Sequence, residues 1–163
     1  MKPMFSKCLF LSLSLFALQQ LRAQDDVIRQ QDCINTSFRP QIDSIKQTMA
    51  AQGFALVREA SMTMESEYEM PVIVPLNEGS WYHFVFIGDP TSKLYEVRMY
   101  DSDDRQVFYE KHQWGDVDGN IISYTYVPKL TQYHMMKPVQ VNKVKKKGLC
   151  GYVMMFKRVA NPS

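Results

Sequence analysis

The run Trp81-Tyr82-His83-Phe84-Val85-Phe86-Ile87 is closed by Gly88-Asp89-Pro90 and preceded by Asn77-Glu78-Gly79-Ser80. Aromatic and β-branched residues bounded by turn residues predict a strand. Its period of two puts Tyr82, Phe84 and Phe86 on one face and Trp81, His83, Val85 and Ile87 on the other. Downstream, Tyr95, Val97 and Met99 alternate with Glu96 and Arg98, a half-buried strand. Asp101-Ser102-Asp103-Asp104 then turns the chain into a strand over 106–111. A loop is expected over 112–120, then strands over 121–127, 133–142 and 150–157, the last two joined by a lysine-rich turn.

Upstream of Trp81, Pro71 and Pro75 confine 70–76 to an edge strand or short bridge. Segment 54–68 alternates through Ser61-Met62-Thr63-Met64-Glu65, and Glu65, Glu67 and Glu69 would share one solvent face if that strand continued. Before Gly53 the period changes. Phe38, Ile42, Ile45 and Met49 recur at helical spacing over 37–52, with Pro40 in the first turn and Gly53 as the stop. One amphipathic helix followed by about eight short strands at regular spacing predicts a mainly β fold. We expect an antiparallel, jelly-roll-like β-sandwich, because a parallel sheet would need helical crossovers that the sequence lacks.

Residues 1–23 hold Lys2, Lys7 and Arg22, no acidic residue, and a short apolar run from Cys8 to Leu18. The run is too short for a membrane-spanning helix. With Leu21-Arg22-Ala23 as a cleavage site it reads as a secretory signal peptide. Cys8 precedes the apolar run rather than following it, which argues against a lipid anchor. The expected organisation is therefore a signal peptide (1–23), a lead-in and helix (24–53) and a β-sandwich domain (54–163). Export places the chain in the periplasm or outside the cell. No later segment is apolar for long enough to span a bilayer.

Removing residues 1–23 takes the 19 basic residues down by three to 16, against 17 acidic ones. A mature chain near neutrality lacks the basic surface that nucleic-acid binding needs. The one basic cluster, Lys143, Lys145, Lys146 and Lys147, is followed by Gly148 and reads as a solvated turn. Cys33 and Cys150 remain after cleavage. An even pair in an oxidising compartment predicts one disulfide tying the helix region to the last strand; the alternative is two free thiols.

Trp81 through Lys157 resembles the pre-peptidase C-terminal type of secreted bacterial β-sandwich domain. Three pieces carry the resemblance: Phe86-Ile87-Gly88-Asp89; Glu96-Val97-Arg98-Met99-Tyr100-Asp101-Ser102-Asp103 leading into Gln106-Val107; and Ile121-Ile122-Ser123-Tyr124-Thr125-Tyr126-Val127-Pro128. Thr131-Gln132-Tyr133 stands where the family has Gly-Thr-Tyr, and the N-terminal helix is additional. The resemblance implies a sandwich that accompanies other secreted modules and has no catalytic centre of its own. The chain also looks like small exported proteins of Gram-negative bacteria.

Three groups of residues are candidate sites. Asp101, Asp103 and Asp104 in one turn, with Asp116 and Asp118 in another, could offer oxygen ligands to calcium. The same residues serve ordinary turns, and the bidentate glutamate that ends a calcium loop is missing. Trp114, with Tyr109 and His112 nearby in sequence, is a candidate ligand-binding group, because aromatic loops on sandwiches stack on sugars or anchor partners. His83, His112 and His134 lack the spacing of a zinc motif. A nucleophile elbow and a Gly-rich phosphate loop are both missing. The expected function is a non-enzymatic binding or accessory protein of the cell envelope that contacts another protein. A carbohydrate-binding module is the alternative and a small hydrolase the third reading.

Overall fold

A computed structural model describes Cys33, residues 36–113, Gly115 and residues 119–159. Residues 1–23, expected as a signal peptide, most of the lead-in, and Trp114, Asp116 and Asp118 lie outside the described residues. A short 3-10 turn (Thr36–Phe38) leads into helix α1 (Arg39–Ala51). Eight strands follow: β1 (Phe54–Met64), β2 (Val72–Leu76), β3 (Tyr82–Gly88), β4 (Leu94–Tyr100), β5 (Gln106–Gln113), β6 (Ile121–Tyr126), β7 (Gln132–Val141) and β8 (Leu149–Arg158).

The strands form two antiparallel four-stranded sheets, ordered β1-β8-β3-β6 (sheet A) and β2-β7-β4-β5 (sheet B). The pairings explain the order. β4 pairs with β5, β3 with β6, β2 with β7 and β1 with β8. The chain is one long hairpin with its tip at 101–105, wrapped so that successive rungs fall in alternate sheets. That winding is a jelly roll, as the strand spacing and turn signals predict.

Both faces of β3 are buried, for different reasons. Phe84 and Phe86 point between the sheets, among Met62, Met64, Leu76, Val97, Met99, Ile122 and Tyr124. Phe84 and Phe108 each stack on Tyr124, which joins the two sheets. Val85 and Ile87 point outward into a second core with Phe38, Met49, Met154 and Phe156. α1 supplies the cover for that face. Its apolar stripe lies on sheet A, Lys46 Nζ pairs with Glu59 on β1 at 2.6 Å, and Gln41 bonds Asn120 before β6 at 3.0 Å. The helix stops at Gly53, whose φ of +79° suits glycine.

Cys33 and Cys150 form a disulfide, with Cα atoms 5.6 Å apart. It joins the chain ahead of α1 to the start of β8, within the helix-side core.

Four sequence expectations change. First, β1 ends at Met64, so Glu65, Glu67 and Glu69 sit in the link to β2 rather than on a strand face. Glu67 has a φ of 76° there. Each of the three finds a cation: Lys147, Lys146, and Lys137 with Arg98. Charge pairing, not strand alternation, places them. Second, β5 continues to Gln113, so His112 belongs to a strand and not to a loop. Third, the lysine-rich segment crosses from β7 in one sheet to β8 in the other and is not a hairpin tip. Three of its lysines are paired: Lys145 with Asp89, Lys146 with Glu67 and Lys147 with Glu65. Fourth, the helix is shorter than 37–52, because its first turn is a 3-10 turn.

The β3–β4 connection rests on close packing. Gly88 faces the ring of Tyr95, where an added Cβ would stand 2.5 Å from Cε1 and nearer still to Cδ1. The ring cannot retreat. It is 2% exposed, and its hydroxyl donates to the Asp89 carbonyl at 2.8 Å and the Ser92 carbonyl at 3.1 Å. Gly88→Ala is therefore expected to cost about 1–3 kcal/mol through overpacking. Urea unfolding would show it as a lower midpoint, and an unchanged midpoint would contradict the packing described.

Candidate functional site

The two outer faces of the sandwich differ. Sheet A carries α1, whereas among the described residues nothing covers the outer face of sheet B. Strand register defines its rows. Ile73, Met135, Tyr100 and Gln106 form one; Lys137, Arg98 and Tyr109 the next; Val139, Glu96 and Lys111 a third. Tyr133 stands beside Pro75 in the row before Ile73.

Tyr133, Tyr100 and Tyr109 thus descend one row per strand across β7, β4 and β5. Sheet geometry gives about 3.3 Å per residue and about 4.8 Å per strand, so neighbouring tyrosines on this diagonal stand roughly 8 Å apart. Tyr133 is 66% exposed, Ile73 56% and Tyr109 50%. Such exposure of large rings and an aliphatic side chain on one face marks an interaction surface more than a solvated one.

Charged groups interlock between the rings. Arg98 is ion-paired with Glu96 and with Glu69 at 3.1 Å, and Lys137 reaches the other oxygen of Glu69 at 3.0 Å. Lys137 Nζ also lies 5.0 Å from the centre of the Tyr100 ring. Burial works against the Arg98 charge, but Glu96 beside it outweighs that, and Arg98 is raised above its ordinary value. The guanidinium is held in place beside Tyr109, its register partner across β4 and β5.

The residues singled out from sequence are distributed as follows. Tyr109 lies on this face, while His112 points the other way, between the sheets, in register with Tyr95. His112 is 9% exposed, and its Nε2 lies 2.7 Å from Glu110 Oε1. Its buried Nδ1 has no partner among the described residues. Tyr109 and His112 therefore do not form one site, since an odd spacing along a strand separates them onto opposite faces. Trp114, the third member, lies outside the described residues.

Asp101 Oδ1 accepts backbone N–H groups from Arg105 and Asp103, and its Oδ2 faces Arg105 Nε at 3.3 Å. Those backbone hydrogen bonds, Arg105's first, hold Asp101 below the ordinary carboxylate value. Asp103 is ion-paired with Arg105, and Asp104 takes a φ of 56° at the turn. The turn occupies one end of β5. The segment carrying Asp116 and Asp118 begins at the other end, after Gln113. Among the described residues no group of three or more acidic, histidine or cysteine side chains is placed to hold a metal ion. No described helix is long and apolar enough to cross a membrane.

Sequence inspection missed the tyrosine diagonal. Tyr133, Tyr100 and Tyr109 come from three strands, and only the register of β4 against both neighbours brings them into line. It also missed a recess of about 680 Å³ at the end of the sandwich, where the close of α1, Trp81 and Arg158 meet.

No family model matches the chain, and no curated protein is similar to it. Several solved structures resemble it in outline. AlgX of Pseudomonas aeruginosa is 13% identical with a TM-score of 0.44, covering 64% of this chain and 27% of AlgX. The chain thus corresponds to about a quarter of that protein. A carbohydrate-binding module described as CBM4 is 16% identical with a TM-score of 0.34, over 66% of this chain and 76% of its own. The K3 cleaved adhesin domain of Lys-gingipain from Porphyromonas gingivalis is 11% identical with a TM-score of 0.36, over 61% and 73%. At these values the likeness assigns neither function nor ligand to this chain.

Proposed function

We propose that this chain is a non-enzymatic binding or accessory module of the bacterial cell envelope, exported by residues 1–23, that contacts another protein through the bare face of sheet B. One observation carries the reading: that face exposes Tyr133, Tyr109 and Ile73 around a fixed Arg98 while the opposite face is closed by α1. Tyrosine and arginine are the residues that most often anchor protein interfaces. Neighbouring charged groups on a face set orientation and reject wrong partners. The disulfide fits an oxidising compartment. An accessory role is also what the resemblance to pre-peptidase C-terminal domains implies.

The hydrolase reading draws less support. In the His112–Glu110 pair that could move a proton, the imidazole is buried between the sheets and the carboxylate is 34% exposed. The carbohydrate reading keeps one specific observation, the tyrosine diagonal, because rings at regular spacing can stack on successive sugars.

The test is a pull-down of tagged mature protein from its native envelope, repeated with Tyr109→Ala and Tyr133→Ala. Each truncation is expected to weaken capture of a stoichiometric protein by roughly 5–30-fold, the equivalent of about 1–2 kcal/mol. Capture that both variants retain in full would place the interface elsewhere. Loss of binding to a polysaccharide, with no protein captured, would select the carbohydrate reading.

A further inference from the structure

The recess of about 680 Å³ lies away from the sheet B face and owes nothing to the protein-binding reading. Its walls are the end of α1 (Ala50, Ala51) and Gln52 after it, the turn before β3 (Gly79, Ser80), Trp81, and the end of β8 (Lys157, Arg158). The volume is that of a small-molecule site.

The space exists because the walls are short. Gly53 and Gly79, both with positive φ, would meet nothing within 4 Å if given a Cβ. Ala50, Ala51 and Ser80 add three more small side chains. Against these stand two large groups. Trp81 is 48% exposed. The Arg158 guanidinium lies 5.2 Å from the Trp81 ring and 5.7 Å from the Phe54 ring.

Arg158 is therefore oriented by two aromatic rings, yet among the described residues it has no carboxylate partner. Lys157, beside it, also lacks one; its ammonium lies 5.7 Å from the ring of Tyr82. Seven other described cations, Arg98, Arg105, Lys46, Lys137, Lys145, Lys146 and Lys147, meet carboxylates, whereas the Arg158 guanidinium is placed by rings. An unpaired guanidinium fixed over rings at the mouth of a recess is matched to an external anion, and its planar fork fits a carboxylate by two parallel hydrogen bonds. The Ser80 hydroxyl and the Gln52 side-chain amide have no hydrogen-bond partner among the described residues, so both are free for ligand hydroxyls. Trp81 offers an apolar surface for a ring, with a polar edge.

We propose that this recess binds an acidic saccharide, with Arg158 holding the carboxylate of a uronate unit and Trp81 carrying the apolar face of its sugar ring. Ser80 and Gln52 meet its hydroxyls. A neutral sugar would leave the guanidinium unmatched. A simple carboxylate would leave Trp81 and most of the space unused.

The test is calorimetric titration of the disulfide-bonded mature protein with short oligomers of glucuronate, galacturonate and mannuronate, each beside its methyl ester as the neutral probe. At least one acid oligomer is expected to bind, with its ester weaker by roughly tenfold or more, the loss of one charged hydrogen-bonding pair. Arg158→Gln should weaken the acid form to near the level of the ester, with a much smaller effect on the ester itself. Ala51→Leu, which narrows the recess without touching a charge, should weaken both forms alike. Circular dichroism and Tm of each variant separate this from misfolding. The proposal is overturned if none of the acid oligomers binds, if acid and ester bind equally, or if folded Arg158→Gln binds the acid form as the parent does. Because sheet B is unaltered in these variants, capture of a protein partner should be unaffected, so failure here is distinguishable from failure of the proposed function.

Discussion

Reduction of the Cys33–Cys150 bridge is expected to lower Tm on the order of 10–20 °C. The bridge joins residues 117 apart in sequence. Cross-linking so long a loop removes conformational freedom from the unfolded chain worth ~4–5 kcal/mol in the chain-entropy model. For a domain of this size that corresponds to the stated shift. The bridge also acts on the folded side. It fastens the chain ahead of α1 to β8, and α1 is the cover of the outer face of sheet A. Once the bridge opens, Phe38, Ile42, Ile45 and Met49 are held over Val85, Ile87, Met154 and Phe156 by packing, with the Lys46–Glu59 and Gln41–Asn120 contacts of α1. The measurement is thermal unfolding with and without reductant, alongside the Cys33→Ala/Cys150→Ala double variant. The variant should match the reduced parent and show no further response to reductant. An unchanged Tm in the parent would contradict this account of the fold's stability.

The second large effect is expected at Asp89. This carboxylate is 4% exposed where β3, β4, β7 and β8 converge at one end of the sandwich. Its Oδ1 accepts from the Thr91 N–H at 3.0 Å and hydroxyl at 2.7 Å, and its Oδ2 accepts from the Cys150 N–H at 3.3 Å. Lys145 stands 3.6 Å from Oδ2. The network continues from the Asp89 N–H to Gln140, and from Gln140 to the Cys150 carbonyl. Asp89→Ala strands several of these donors in the interior and is expected to destabilise by about 3–5 kcal/mol, as removal of one partner from a buried charged network does. Lys145→Ala, at the exposed rim, should cost under about 1 kcal/mol.

Asp89 also sets an acid limit. Burial pushes its pKa up, but the Thr91 and Cys150 hydrogen bonds and the Lys145 charge outweigh burial and hold it below the ordinary value of 3.8. A carboxyl with a lowered folded pKa contributes its full stability above the unfolded value. The contribution is lost as pH falls through the folded one. Unfolding free energy should therefore fall on acidification below about pH 4 in the parent, and less steeply in Asp89→Ala. Equal slopes would show that Asp89 is not the titrating group.

The amino-acid pattern reveals the fold further than it reveals the surface. Alternation in Tyr82–Gly88 and Leu94–Tyr100, helical spacing in Phe38–Met49, and turn residues between strands are local signals, and each produced its element. The cysteine pair was also legible, because parity and the expected oxidising compartment restrict the choices. Strand ends set by long-range pairing were not. β5 runs through His112 and Gln113 because β4 offers Tyr95 and Leu94 as partners, which no local pattern declares. Glu65-Ser66-Glu67-Tyr68-Glu69 alternates like a strand, yet Ser66 is held by Asn142 and the glutamates by distant cations, so the segment links rather than pairs as β1. The bare face of sheet B was illegible for the same reason. Tyr100, Tyr109 and Tyr133 are separated along the chain and meet through the register of three strands.

The central claim is that sheet B, not sheet A, meets the partner. The most direct measurement places a photo-crosslinking amino acid at Tyr109, at Ile73 and, on the opposite sheet, at Thr125, in protein expressed in its native envelope. The account predicts the same protein adduct from Tyr109 and Ile73 and none from Thr125. An adduct from Thr125 with none from the two sheet B positions would contradict it.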